Sequence, residues 1–134
     1  MLHYNKKGET QVSLFFVPGI GIDFLIIFAS RIIIGKMAII RELRGFTPKF
    51  GKDCFLAENA AIIGDVTMGD DCSIWYGTVL RGDVNTIKIG DRVNIQDGAV
   101  VHTLYERSVS EIGNDVSVGH NAIIHGAKIG NNVL

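Results

Sequence analysis

Aliphatic residues recur every six positions through Leu56, Ile62, Met68, Ile74 and Leu80, and no other feature restricts the fold of this chain so tightly. A second ladder runs Ile89, Ile95, Val101, and a third Ile112, Val118, Ile124. A period of six fits neither a helix, at about 3.6 residues per turn, nor a simple amphipathic strand, at about 2. It fits a short strand plus a turn, with one aliphatic side chain per strand pointing inward. Three such units close one triangular coil, and stacked coils bury a continuous apolar column. The spacing therefore predicts an all-β fold, a left-handed parallel β-helix of hexapeptide repeats over residues 37–134. A β-sandwich with frequent turns would not keep one spacing over five rungs. The glycine content, 16 against 2 prolines, agrees with many regular turns. Several rungs or their neighbours run into Gly followed by a polar residue, as in Ile63-Gly64-Asp65, Met68-Gly69-Asp70, Ile89-Gly90-Asp91 and Ile112-Gly113-Asn114.

The ladder breaks at two places. Leu80 to Ile89 is nine residues, so three are inserted, and Val101 to Ile112 is eleven, so five are inserted. Insertions in a solenoid are expected to bulge outward as loops, where function is usually carried. The step from Ile124 to Ile129 is one residue short, which the period does not explain.

Charge and cysteine usage exclude several classes of function. The formal net charge is -1 with no basic run, so binding to nucleic acid has no electrostatic basis. Cys54 and Cys72 lack a CxxC spacing and are too few for a disulfide framework. They read as small buried apolar side chains in a reducing compartment, which points to the cytoplasm.

The chain changes character near Met37. All 7 Phe lie at or before Phe55, whereas most glycines follow it. The apolar stretch 12–34 is long enough for a membrane span, but Pro18, Asp23 and Arg31 interrupt it. It also lacks a convincing signal-peptidase site. Residues 1–36 are expected to be an extension outside the fold, with Met37 as an alternative start. A membrane-associating segment and a local structural role are the competing readings.

Counting rungs across the insertions places the histidines. If each break is one lengthened unit, Leu80, Val101 and Ile124 stack on one face, so Arg81, His102 and His125 form a column beside them. Adjacent coils lie about 4.8 Å apart, a separation two ligands of one metal can use. His120 and Gln96 fall on the preceding face, so His120 is not expected to reach a metal held by His102 and His125 within one chain, and a neighbouring copy could supply it. Three imidazoles leave a tetrahedral metal one open position, the mark of a catalytic rather than a structural site. Spacing alone leaves hydrolysis, hydration and structural metal open, and His3 reads as an ordinary surface residue.

At these residues the chain resembles the gamma-class carbonic anhydrases. The segments that carry the likeness are Arg81-Gly82-Asp83-Val84-Asn85, Asn94-Ile95-Gln96-Asp97-Gly98, Val101-His102 and Gly119-His120-Asn121-Ala122-Ile123-Ile124-His125-Gly126. The resemblance runs from about Met37 to the last residue. It implies a homotrimer with a metal, Zn2+ or otherwise Fe2+ or Co2+, at each subunit interface. His102 and His125 would ligate from one subunit and His120 from the next. By the same resemblance Arg81, Asp83 and Asp97 are interface ion-pair residues, and Gln96 orients the metal-bound water or bicarbonate. The implied reaction is zinc-hydroxide attack on carbon dioxide to give bicarbonate.

Two departures accompany the likeness. Val84 stands beside Asp83 where archaeal members carry a proton-shuttling glutamate, which leaves Glu106, in the loop after His102, as the candidate for that role. Members also continue through further coils to a C-terminal helix, so the β-helix domain reads as incomplete at Leu134, with an exposed apolar cross-section expected there. Two rival functions remain. A coenzyme A-dependent hexapeptide acyltransferase would use one essential His, and a non-catalytic scaffold or assembly subunit would use the metal for stability alone.

Overall fold

The computed structural model describes residues 38–134 and, nearer the start, strands β1 (His3–Tyr4) and β2 (Thr10–Gln11). The chain forms two compact units, Met1–Ile34 and Gly35–Leu134. In the first, β1 pairs with β2 antiparallel, His3 opposite Gln11. The apolar stretch 12–34, with its membrane and signal readings, lies outside the described residues, as does the side chain of His3. Among the described residues no helix is long and apolar enough to cross a membrane.

The second unit is a parallel β-solenoid. Its strands are β3 (Ile39–Arg41), β4 (Phe55–Leu56), β5 (Ala61–Met68), β6 (Ser73–Ile74), β7 (Val79–Ile89), β8 (Asn94–Ile95), β9 (Val100–His102), β10 (Ser110–Ile112), β11 (Ser117–Val118), β12 (Ile123–His125) and β13 (Lys128–Ile129). Every pairing between these strands is parallel. Three inward columns result. Ile40, Ile62, Leu80, Val101 and Ile124 stack in register on the first face. Met68, Ile89, Ile112 and Ile129 stack on the second, and Leu56, Ile74, Ile95 and Val118 on the third. Ile62, Ile74, Leu80, Ile95 and Val101 are fully buried, so each rung removes its side chain from water while backbone amides pair with neighbouring coils.

The glycine–acid pairs at one corner have a steric cause. The Asp70 carboxylate accepts from the Lys52 amide (2.7 Å), Asp91 from the Asp70 amide (2.9 Å), Asn114 from the Asp91 amide (2.9 Å) and Asn131 from the Asn114 amide (2.8 Å). A Cβ on Gly69 or Gly90 would fall on the side-chain oxygen arriving from the next coil, so the residue under each Asp or Asn must be glycine.

The two insertions behave differently. The first does not leave the sheet as a loop. Strand β7 pairs with β5 through Gly64↔Gly82, then resumes at Val66↔Ile87, so residues 83–86 bulge opposite Asp65 within one continuous strand. The second leaves the sheet after β9 and folds back through a Leu104↔Ser108 antiparallel bridge. Asn85 ties the two together: its amide nitrogen donates to the Ser108 carbonyl (3.3 Å), and its own carbonyl accepts from the Thr103 hydroxyl (3.3 Å). The short step from Ile124 to Ile129 also has a cause. The corner that Gly64 and Asp65 make in β5 is made by Gly126 alone, at φ 62°, a left-handed conformation that glycine adopts without strain.

Candidate metal centre

The pairing register sets Arg81 against His102 and His102 against His125 on three successive coils. The two imidazoles stack with ring centroids 5.0 Å apart and planes inclined by 26°. That separation is essentially the spacing of adjacent strands, so it follows from placing two histidines at one repeat position.

Each ring is oriented by a hydrogen bond through one nitrogen. His102 Nε2 meets Asp83 Oδ1 at 2.8 Å, and His125 Nε2 lies 3.3 Å from the Thr103 carbonyl. The second Asp83 oxygen accepts from Arg81 Nη1 at 2.5 Å. The side chains of Asp83 and His102 are each 19% exposed, whereas that of Arg81 is 45% exposed and turned to the surface. Burial raises the Asp83 pKa, but the His102 hydrogen bond and the Arg81 charge outweigh it and hold the carboxyl below its ordinary value. Beneath the pair, the buried Ser110 hydroxyl donates to the His102 carbonyl (2.5 Å) and accepts from the Gly126 amide (3.0 Å), which links the two histidine strands.

His120 sits elsewhere. It lies at the exposed corner after β11, with Nδ1 3.2 Å from Asp97 Oδ2 and its side chain 65% exposed. Gln96 adjoins that corner at the end of β8, where its carbonyl accepts from the Thr78 hydroxyl (3.0 Å). Glu106 is exposed in the second insertion. The fold thus brings together Arg81, Asp83, His102 and His125, and keeps His120, Gln96 and Asp97 as a second cluster on another face. Among the described residues no three His, Cys, Asp or Glu side chains converge on one point within the chain.

Imidazoles are ligands that a borderline metal such as zinc takes, and a carboxylate bonded to one ring, as Asp83 is to His102, is the kind of outer partner such ligands use. Two ligands do not complete a site. His120, exposed on the other face, is a third imidazole with the chemistry of a metal ligand.

Sequence reasoning did not find the Asp83–His102 contact or the role of Ser110. The signal for Ser110 was present: it fills an inward position held by Val66 and Ile87 in preceding coils, so a polar residue there required a partner. Asp83 gave no such signal, because it lies in an insertion where the repeat does not dictate direction.

Residues 47–82 match the family model described as bacterial transferase hexapeptide (six repeats). The chain is 40% identical over 102 residues to Protein YrdA of Escherichia coli (strain K12), covering 72% of this chain and 55% of that protein. It is 47% identical over 88 residues to Gamma carbonic anhydrase 2, mitochondrial, of Arabidopsis thaliana, covering 62% of this chain and 32% of that protein. A crystal structure of a hexapeptide transferase family protein from Anaplasma phagocytophilum is similar with a TM-score of 0.62 and 46% identity, over 66% of this chain and 51% of that one. The chain spans about half the length, 55%, of the first of these relatives.

Proposed function

We propose that this chain, a gamma carbonic anhydrase-like hexapeptide-repeat protein, binds a metal ion between subunits and hydrates carbon dioxide to bicarbonate. The observation that carries the proposal is the stacked His102–His125 pair, with the Asp83 carboxylate bonded to one ring nitrogen of His102. In this reading the coil is left-handed, three copies associate, and His120 of a second copy completes a three-imidazole zinc site. Two free thiols suit a reducing compartment such as the cytoplasm. Residues 1–36 take no part.

A bound zinc ion supplies the Lewis acidity that makes water nucleophilic near neutral pH. The chain's own residues provide the rest. His102 and His125 hold the metal from one side, and the Ser110 bridge keeps their strands in register. Gln96 lies one residue from Asp97, the partner of His120, so a completed site has an amide close by to orient water or bicarbonate. Glu106 is exposed beyond His102, where it can pass a proton to solvent.

Metal content by mass spectrometry, joined to a carbon dioxide hydration assay with and without chelator, tests the reading. About one zinc per subunit with chelator-sensitive hydration supports it; no metal in the wild type, or full metal in His102→Ala, sinks it. The transferase name of the family model supports a second reading, coenzyme A-dependent acyl transfer with one essential His. Acyl transfer that survives complete metal removal would favour it. Metal without turnover of either kind would favour a scaffold.

A further inference from the structure

We infer that Asp83 is a positioning residue: the bulge in β7 carries its carboxylate onto the next coil, where it fixes the ring of His102, while Arg81 holds that carboxylate in place. The inference rests on the metal reading above and gives the first insertion a purpose. One coil earlier, Gly64 is followed by Asp65 at the corner, and the chain rejoins the ladder at Val66. There the Asp65 carboxylate accepts from the Thr86 hydroxyl (2.5 Å), a contact to the bulge itself. In β7 the equivalent Gly82 is followed by four residues before Ile87 rejoins the ladder. That added length lets Asp83 reach His102, the next-coil partner of Arg81.

The geometry leaves Asp83 one orientation. Oδ2 is taken by Arg81 and Oδ1 by His102, so both oxygens are used within the chain. His125 is oriented instead by a backbone carbonyl, which no side-chain substitution removes. Outer partners of ligating histidines typically contribute about 10–100-fold in metal affinity. An ion pair as exposed as Arg81–Asp83 contributes at most about fivefold by itself. If Asp83 serves only that ion pair, removing either member has the same effect. If it positions His102, removing Asp83 does more.

The test uses the full chain as wild type, Arg81→Ala, Asp83→Ala and Asp83→Asn. Zinc affinity is read by competition with a chromophoric chelator, and the imidazole nitrogens of the metal-free proteins by 15N NMR. Asp83→Ala should bind zinc about 10–100-fold more weakly than wild type and Arg81→Ala within about fivefold of it. His102 ring signals should move in Asp83→Ala and those of His125 should not. Asp83→Asn, which keeps the shape and one acceptor oxygen, should fall between wild type and Asp83→Ala, and it carries the comparison if the alanine variant does not fold. Equal losses for Arg81→Ala and the Asp83 variants, or unmoved His102 signals, would overturn the positioning role. Absence of zinc from the wild type would overturn the metal reading and this role together, a result distinct from zinc retained after Asp83 is removed.

Discussion

Gly82→Ala tests whether close backbone approach at the start of the bulge holds the site. Gly82 is buried and pairs with Gly64 on the preceding coil. An added methyl would lie 2.8 Å from the Asp65 carbonyl carbon and nearer still to its oxygen, at least 0.6 Å inside ordinary contact at 3.4 Å. The obstacle is backbone, so relief requires a coil to move rather than a side chain to rotate. Overpacking of this kind costs about 1–3 kcal/mol, and a rigid neighbour places the expectation at about 2–3 kcal/mol. For a domain of this size that is a fall in melting temperature of about 10–20 °C. Gly119→Ala is the control, since a methyl there meets nothing within 4 Å and should change stability by less than about 0.5 kcal/mol. Urea unfolding followed by circular dichroism, at one fixed protein concentration because folding and association are linked, gives both values. Because Gly82 directly precedes Asp83, Gly82→Ala should also lose zinc affinity. Equal stability and equal zinc affinity in the two variants would refute the reasoning.

Mixed refolding of His120→Ala with His102→Ala subunits should regain some metal sites, each built from the intact His120 of one variant and the intact His102 of the other. Mixed oligomers that recover no metal would count against a shared site. Burial pushes the Cys72 thiol pKa up, so little thiolate forms at pH 8 and a disulfide reagent should modify it only as the chain unfolds. Immediate modification of both thiols in native protein would contradict that. Deleting residues 1–36 should leave zinc content and oligomeric state unchanged, as read by mass spectrometry and light scattering.

The six-residue period was sufficient to determine the three inward columns. Each short strand contributes one inward side chain, and the coil closes over a fixed length, so Leu80, Val101 and Ile124 could be stacked by counting. The same count placed His102 and His125 one above the other, because two residues at one repeat position must be neighbours in a parallel ladder. Counting stops working where the chain leaves the period. That Asp83 turns onto His102, that Asn85 clasps the second insertion, and that Gly126 makes a corner alone were decided by the tertiary structure. In a repeat, the neighbours above and below prescribe each side chain's direction. In an insertion no neighbouring coil repeats the segment, and its direction follows from which buried groups it can satisfy once the coils on either side have formed.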